Sequence, residues 1–229
     1  MCGRYVTPDE AALERYWTID RRSGNPLPER FNVAPSTLVP ILFRAEDGAL
    51  ELSAARWGLI PAWWTQAKLP SATINARSEE VAVKPMWRQS YRRSRCLMPA
   101  RGWYEWRALP GGESGGGGPG KQPYFIHATG SPVIAFAGLM ARWQAPDGEA
   151  VLSCALLTRP AAPAIADIHD RMPVVLSPAD HEEWLAAEQR PEVLGCLVTQ
   201  AREDFRGYPV STWVNDPRND VPELLEDLS

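Results

Sequence analysis

The chain has 229 residues, a hydrophobic content of 45% and a net charge of −4, ordinary values for a globular protein of one large or two small domains. No apolar run approaches the roughly 20 residues of a membrane span, and no basic stretch followed by an apolar one indicates a signal peptide. Composition therefore excludes a membrane-spanning helix, and we expect a cytoplasmic protein.

A first helix is predicted for residues 8–17. Asp9 and Glu10 favour a helix start, and apolar residues then recur at helical spacing. The predicted apolar stripe of this helix consists of Leu13, Tyr16 and Trp17.

A hairpin follows, with strands predicted for residues 39–43 and 50–57 and a turn at Asp47 and Gly48. The segment 77–91 predicts a short helix that Pro85 interrupts, since proline removes a backbone donor.

The second half of the chain shows the residue pattern that is typical of β-strands. Further strands are predicted for residues 96–100, 102–107, 123–127, 133–143 and 150–158. The low-complexity segment 111–120 (GGESGGGGPG) is too rich in glycine to pack. We expect it to form an exposed, flexible loop inside one domain, because the strands on its two sides are expected to share a sheet.

The clearest later helix is predicted for residues 178–187, with Ser177 as its cap, Pro178 at its first position, and Trp184 and Leu185 facing inward. The tail after Asn215 is acidic and is expected to be extended. Strands dominate and helices are few, so the pattern predicts a β-rich α+β fold in a single domain over residues 1–229.

Basic charge is concentrated in one part of this acidic chain. Residues 56–107 hold ten basic and three acidic residues, a local charge of +7 that leaves −11 for the remainder. The basic residues are Arg56, Lys68, Arg77, Lys84, Arg88, Arg92, Arg93, Arg95, Arg101 and Arg107, and the same segment holds Trp57, Trp63, Trp64, Trp87, Trp103 and Trp106. Guanidinium groups among indoles suit single-stranded nucleic acid. The alternative is a core of tryptophans beneath a solvated basic face.

Cys2 is the most informative cysteine. Removal of Met1 by an aminopeptidase would leave a free amine next to a thiol, with pKa values of about 8 and about 8.5. Such a 1,2-aminothiol condenses with an aldehyde to a Schiff base, which the thiol closes into a thiazolidine ring. The alternative is that Cys2 lies in a flexible tail.

The other three cysteines are expected to be structural. Cys96, Cys154 and Cys196 form no metal-binding spacing with one another or with Cys2, and their apolar neighbours predict buried, reduced thiols.

Four further polar residues are candidates for chemistry. Asn75, two residues before an arginine, can offer an amide to a substrate oxygen, or it can cap a turn. Glu105 is flanked by tyrosine and tryptophan, and desolvation by these rings would raise its carboxyl pKa towards that of a general acid or base. The alternative is an exposed strand residue or an ion pair with a nearby arginine. His169 lies in a polar run, and Arg4 is two residues from Cys2.

The other two histidines receive simpler interpretations. His127 is predicted to be structural and His181 to be solvated. A cysteine, a histidine and an acid together also suit a cysteine hydrolase in which the histidine activates the thiol.

Several segments together resemble the SRAP family (SOS-response-associated peptidase domain). In family order, and over nearly the whole chain, they are residues 1–5 (MCGRY), 30–35 (RFNVAP), 56–61 (RWGLIP), 75–79 (NARSE), 99–106 (PARGWYEW), 168–173 (IHDRMP) and 214–220 (VNDPRND). The resemblance implies a compact β-rich domain that binds abasic sites in single-stranded DNA and crosslinks to them through a thiazolidine at the mature N-terminal cysteine.

The resemblance also implies roles for individual residues. Cys2 would be the nucleophile, Asn75 would orient the sugar or the amine, Glu105 would be the acid–base group in Schiff-base formation and reversal, and His169 would protonate the sugar ring oxygen. Arg4, Arg77 and Arg171 would hold phosphates. The full set of expected DNA-binding residues is Arg4, Asn32, Trp63, Trp64, Arg77, Ser78, Trp106 and Arg171.

No metal or organic cofactor is implied, and we expect a nucleoid-associated monomer whose partner is single-stranded DNA with abasic sites. Two departures from the family pattern stand out: the length of the loop 111–120, and Trp213 where a polar or basic residue is expected. Two alternatives remain open at this point. One is a cysteine peptidase or amidohydrolase that uses Cys2, whose peptidase activity is limited to N-terminal processing, and the other is a noncovalent binder of single strands.

Overall fold

Strands make up most of the regular structure in the computed structural model, which describes residues 2–23, 28–66, 68–71, 73–109 and 120–229. Within these ranges the strands are β1 (Tyr5–Val6), β2 (Arg21–Ser23), β3 (Leu38–Arg44), β4 (Leu50–Trp57), β5 (Asn75–Arg77), β6 (Arg95–Ala100), β7 (Gly102–Ala108), β8 (Lys121–Ala128), β9 (Ile134–Gln144), β10 (Ala150–Pro160), β11 (Arg171–Pro173), β12 (Val175–Leu176) and β13 (Phe205–Pro209).

The helices are short and lie outside the sheets. They are α1 (Glu10–Tyr16), α2 (Arg88–Arg93), α3 (His181–Leu185) and α4 (Pro191–Thr199), with 3₁₀ turns at Pro163–Ile165, Pro178–Asp180, Thr212–Asn215 and Pro222–Leu225. No helix in the described part of the chain is long and apolar enough to cross a membrane.

The larger sheet closes into a barrel. Its strands run in the order β11-β10-β4-β3-β6-β9-β12, and β9 also pairs with β10, so β10, β4, β3, β6 and β9 form a ring. The pairing of β9 with β10 extends over seven residue pairs, from Ala150 opposite Gln144 to Leu156 opposite Gly138. A second sheet, β1-β7-β8-β13, packs beside this barrel.

Two apolar clusters are separated by the barrel wall. The inner cluster centres on Tyr5, Trp57, Trp103 and Phe136, whose rings meet edge to face at centroid distances of 5.3–6.1 Å. The outer cluster packs the helices against the outward face of the same strands, with Trp184 of α3 fully buried. Because successive side chains point to opposite faces of a strand, the same strands contribute residues to both clusters.

The predicted fold class is confirmed: the chain forms a strand-rich single domain with few short helices. All seven predicted strands are present, with ends within two residues of those expected. The predicted loop at residues 111–120 lies, except for Gly120, outside the described residues.

The helix predictions needed correction. The first helix begins later than expected, after Asp9, whose carboxylate accepts a hydrogen bond from the Ala12 amide, and Tyr16 faces solvent instead of the core. Residues 78–87 form turns, and the helix follows Pro85 instead of enclosing it.

The later helices differ from the prediction as well. The helix expected for residues 178–187 is a 3₁₀ turn followed by α3, and the Ser177 side chain makes no capping hydrogen bond, although Trp184 and Leu185 are buried as predicted. The sequence analysis missed α4, although Pro191 at its start and Leu194, Leu197 and Val198 at helical spacing were available signals.

Gly102 allows β7 and β8, which are neighbouring strands of the second sheet, to approach each other closely where β7 begins. A Cβ atom at this position would lie 2.3 Å from the Ile126 carbonyl oxygen and 2.6 Å from the Phe125 ring. We therefore expect Gly102→Ala to lower the free energy of unfolding by about 1–3 kcal/mol, as overpacking does elsewhere. Urea unfolding would measure this loss.

Gly195 within α4 is the matched control, because nothing lies within 4 Å of a Cβ atom there. Gly195→Ala is expected to raise stability by about 0.5–1 kcal/mol, since alanine is the better helix former. Equal effects of the two substitutions would contradict the close approach at Gly102.

Candidate active site

Cys2 is brought to the barrel by the pairing of β1 with β7. Tyr5 lies opposite Trp103 in this antiparallel pair, and the Tyr104 amide donates to the Arg4 carbonyl oxygen at 3.0 Å. Cys2 is thereby buried, with 1% of its surface exposed. The interpretation of Cys2 as part of a flexible tail does not fit this position.

Glu105 lies on β7 with its side chain turned towards the barrel. Alternation places Trp103 and Glu105 on this side, whereas Tyr104 belongs to a separate cluster on the other side and Trp106 packs against that cluster. Glu105 is 1% exposed, and burial raises the pKa of its carboxyl above the usual value. The alternative of an exposed strand residue is therefore wrong.

The Cys2 thiol lies beside the Glu105 carboxyl, and the two groups interact electrostatically. Burial, and next the negative charge of Glu105, raise the pKa of the Cys2 thiol well above its usual range. The thiol is therefore held as a protonated donor beside a carboxyl group that can take up its proton.

Asn75 holds the backbone of the same cysteine. Its Nδ2 donates to the Cys2 carbonyl oxygen at 3.0 Å, and its Oδ1 is buried with no hydrogen-bond partner within the described chain. A buried amide oxygen without a partner is costly, so this atom is suited to accept a hydrogen bond from an amine or a sugar hydroxyl.

His169 reaches the site from the segment before β11. Its Nε2 lies 3.6 Å from Glu105 Oε2, and its Nδ1 accepts a hydrogen bond from the Arg171 amide at 3.0 Å. Asp170 Oδ1 lies 3.0 Å from the same Nδ1. The ring is therefore held between two carboxyl groups and faces Glu105 with Nε2.

The strand β10 sets the spacing between Asn75 and His169. On one edge Leu156 pairs with Asn75 and Thr158 with Arg77, and on the other edge Pro160 pairs with Arg171. Two segments that are about ninety residues apart in the sequence are thus registered against the same five-residue stretch of one strand. The structure brings together all four predicted catalytic residues, Cys2, Asn75, Glu105 and His169.

Arg171 is tied to a carboxylate that the sequence analysis did not single out. Its Nη1 and Nη2 donate to Glu79 at 2.5 and 3.0 Å, and Nη2 also donates to the Thr158 carbonyl oxygen at 2.8 Å. Ser78 donates to Glu79 as well. Arg77 is exposed, and its side chain has no ion pair within the described chain. Arg77 and Arg171 are two of the three expected phosphate ligands, and of this pair only Arg77 has no ion pair within the described chain.

Arg4 and Asn32 bind the C-terminal segment. Arg4 Nη1 donates to Asn32 Oδ1 at 2.8 Å and to the Val214 carbonyl oxygen at 2.7 Å. Asn32 is fully buried, and its Nδ2 donates to the carbonyl oxygens of Val214, Asp216 and Asn219. The expectation of a direct DNA contact by Asn32 does not fit this burial, because its side chain presents no surface and positions Arg4 instead.

The three tryptophans expected to bind DNA occupy different settings. Trp63 is 49% exposed, Trp64 is half-buried beside it at a ring distance of 5.8 Å, and half-buried Trp106 donates its Nε1 to Asn215 Oδ1 at 2.7 Å. Trp57, by contrast, belongs to the inner cluster. The interleaved segment therefore divides between core tryptophans and surface tryptophans. The core interpretation is correct for part of it, and binding of nucleic acid by the surface tryptophans stays a prediction.

The remaining cysteine and histidine predictions have mixed outcomes. Cys96 and Cys154 are buried as expected, but Cys196 is exposed because it lies on the outer face of α4. His181 is not solvated: Trp17 donates to its Nδ1, and burial lowers its pKa to about 4. All four cysteines are free, and within the described residues no group of three or more His, Cys, Asp or Glu side chains is placed to hold a metal ion.

This arrangement suits addition to a carbonyl better than thiolate hydrolysis. A cysteine hydrolase needs a histidine that draws the thiol proton and stabilises the thiolate. Here His169 faces Glu105, and the acid beside Cys2 keeps its thiol protonated. A neutral thiol with a neighbouring carboxyl can instead add to an electrophilic carbon and transfer its proton in the same step.

Comparisons with known proteins agree along the whole chain. The family model described as SOS response associated peptidase (SRAP) matches residues 1–217. The abasic site processing protein YoqW of Bacillus subtilis (strain 168) is 36% identical over 236 residues, which cover 99% of each chain. The abasic site processing protein YedK of Escherichia coli (strain K12) is 34% identical over 203 residues, 86% of this chain and 84% of YedK.

The fold also matches a solved structure. A protein from Bacteroides thetaiotaomicron superposes with a TM-score of 0.81 over 100% of both chains, at 21% sequence identity. This likeness concerns the fold.

The ion pair of Glu79 with Arg171 predicts a pH dependence of stability. Hydrogen bonds from Arg171 lower the pKa of Glu79 to about 2. A depressed carboxyl pKa stabilises the fold above the unfolded-state value of about 4.3 and loses this contribution as the pH falls towards 2. Glu79→Gln should therefore lower the free energy of unfolding at neutral pH, by at most about 1 kcal/mol because the pair is partly exposed.

The same substitution should leave stability nearly unchanged at the acidic end of that range, where Glu79 is becoming protonated in the wild type as well. Urea unfolding across the acidic range would measure both values. Glu80→Gln, which removes an exposed neighbouring carboxylate paired with Lys84, is the control. If both variants lost stability in parallel at every pH, the assignment to the Arg171 pair would be wrong.

Proposed function

The chain belongs to the SOS response associated peptidase (SRAP) family, and we propose that it binds abasic sites in single-stranded DNA and traps them covalently through Cys2. The names of the relatives, abasic site processing proteins, support the lesion as the substrate. The observation that carries the proposal is the buried pair of Cys2 and Glu105 at the barrel, with Asn75 bonded to the Cys2 backbone and His169 facing Glu105.

The reaction begins when removal of Met1 converts the Cys2 nitrogen from a peptide amide into an amine. An abasic sugar is in equilibrium between a closed ring and an open chain with an aldehyde at C1′. As an imidazolium between the Glu105 and Asp170 carboxyl groups, His169 can donate its Nε2 proton to the ring oxygen as the ring opens, and the imidazole is left neutral.

Condensation then joins the amine to the aldehyde carbon. The amine adds to C1′, the aldehyde oxygen becomes a hydroxyl group, and this group leaves as water with a proton that Glu105 supplies. The raised pKa of the Glu105 carboxyl favours the protonated form that this step requires. Asn75 Oδ1 is placed to accept a hydrogen bond from the nitrogen or from a sugar hydroxyl.

Ring closure uses the thiol. The sulfur of Cys2 adds to the iminium carbon, the electron pair of the C=N bond moves to nitrogen, and the thiol proton passes to the Glu105 carboxylate that the loss of water left, which restores the acid. The product is a thiazolidine that contains both heteroatoms of the cysteine. The same carboxyl group in reverse would open the ring, so Glu105 also sets how slowly the crosslink is released.

The proposed biological role is protection of the lesion in the DNA damage response. A sugar held as a thiazolidine has no free aldehyde and is shielded from strand cleavage. Peptidase activity is limited in this proposal to exposure of Cys2. DNA binding draws on the exposed Arg77 and Trp63 and on the half-buried Trp64, Trp106 and Ser78. We propose that Arg171 binds phosphate only by giving up its ion pair with Glu79.

A denaturing gel tests covalent trapping. Processed protein mixed with single-stranded DNA that carries one abasic site should give a shifted band that survives denaturation. Cys2→Ala, or one extra residue before Cys2, should abolish this band because each removes the 1,2-aminothiol. Cys196→Ala removes an exposed cysteine elsewhere and should leave the band unchanged.

An undamaged strand should give no band. Absence of the band from correctly processed wild-type protein would rule out the crosslink and leave noncovalent binding or hydrolysis. A band that Cys2→Ala retains would place the linkage on another residue.

The role of Glu105 has a test of its own. Glu105→Gln keeps the size of the side chain but cannot transfer a proton, so we expect crosslink formation to slow by about 10²–10⁴-fold. Single-turnover gels would measure the rate. Binding to a strand with a tetrahydrofuran analogue, which has no aldehyde, should stay within a few-fold of wild type and so control for folding. A rate equal to wild type would remove Glu105 from the chemistry.

A further inference from the structure

The outward face of α2 carries an unneutralised cluster of arginines. Arg88, Arg92 and Arg93 are exposed, and their side chains have no hydrogen bond or ion pair within the described chain. The inward face of the same helix is buried through Ser90 and Tyr91. Three like charges on six residues repel one another, and no carboxylate of the described chain neutralises them.

Most other basic residues of the segment 56–107 already have partners. Arg95 donates to three backbone carbonyl oxygens in the core, and Arg101 and Arg107 pair with Glu29 and Asp167. Arg56 and Lys84 are also bonded within the chain. The surplus charge of this segment is therefore concentrated at α2, together with Arg77 and Lys68.

A fourth arginine and an exposed indole lie beside the helix. Arg93, Arg142 and Trp63 line one groove of about 780 Å³, and Arg142 is exposed on β9 above the Phe43 ring at 5.5 Å. We call Arg88, Arg92, Arg93 and Arg142 the α2 patch. Exposed guanidinium groups beside an exposed indole fit single-stranded nucleic acid, whose phosphates and unstacked bases need these two kinds of group.

The loop that carries Trp63 begins and ends next to the active site. The Leu59 amide donates to the Thr73 carbonyl oxygen at 3.0 Å, and Trp57 Nε1 donates to the Ile74 carbonyl oxygen at 3.0 Å. Asn75, which holds Cys2, is the next residue. The loop therefore leads from the site to Trp63, and the α2 patch continues the path on the same surface.

The rest of the groove carries charges of both signs. Glu46, Asp47 and Glu51 line it together with Arg21 and Arg44, and Arg21 pairs with Asp47 and Glu51. The positive charge of the groove that has no ion pair among the described residues therefore lies at Arg93 and Arg142, next to Trp63 and α2.

We propose that the α2 patch binds the phosphate backbone of the DNA strand several nucleotides away from the lesion. This inference rests on the proposed function and adds to it a second contact surface, separate from the residues around Cys2. The patch contributes affinity without sequence preference, because each arginine meets a phosphate and not a base.

A triple variant, Arg88→Gln, Arg92→Gln and Arg93→Gln, tests the patch. The matched control is Lys121→Gln, Arg190→Gln and Arg206→Gln, which removes the same charge from exposed positions outside the patch. Fluorescence anisotropy would measure binding to a long single strand and to a trinucleotide, each with the tetrahydrofuran analogue. The trinucleotide is too short to reach α2 from the site.

We expect the patch variant to bind the long strand about tenfold more weakly than the control variant at low salt. Its plot of log affinity against log salt should be shallower by about 2, since each lost phosphate contact on a single strand removes about 0.7. Binding of the trinucleotide should be equal for the two variants, and thermal unfolding of the patch variant should occur at or above the wild-type temperature.

Equal affinities and salt slopes of the two variants on the long strand would overturn the proposal. The partner of the α2 patch would then be an acidic protein. An equal loss on the trinucleotide would also overturn it, because the effect would then lie at the site. Crosslinking of wild-type protein to a trinucleotide with a true abasic sugar is the separate readout. Its failure would count against the proposed chemistry and leave the result for the patch standing.

Discussion

The buried carboxyl of Glu105 is the constraint on which the site depends. An acid that is 1% exposed costs free energy unless polar groups surround it, and the Cys2 thiol and His169 supply them. Each arrives by a different long-range pairing, the thiol through β1 on β7 and the histidine through β11 on β10. The chemistry therefore exists only when the barrel and the second sheet have both formed.

The N-terminal segment is fixed by the opposite end of the chain. Arg4 and the buried Asn32 hold the backbone from Val214 to Asn219, so both terminal regions meet at the second sheet. A covalent nucleophile at the second residue would otherwise lose much of its effective concentration to the freedom of a tail. In the proposed reaction, Arg4 and Asn32 therefore help to position Cys2, although they do not touch a reacting atom.

Local patterns predicted the strands well because alternation is a local property that burial on both sides of the barrel wall reinforces. The failures share a cause. Whether Tyr16, Cys196 and His181 are buried depends on which neighbouring element covers each side chain. The packing of α1 and α4 leaves Tyr16 and Cys196 exposed, and the contact with Trp17 covers His181. Periodicity marks an apolar face but does not say how far tertiary contacts extend over its edges.

The sequence by itself determined the available chemistry: a possible 1,2-aminothiol at Cys2, an acid among aromatic residues, an amide, a histidine and a basic segment. Only the tertiary structure decided which of these groups meet, because they lie on strands joined by nonlocal pairing. It also decided which charges remain available. Arg95 and Arg171 are held by internal partners, whereas the arginines of α2 are not, and charge pairing depends on distances that a linear pattern does not contain.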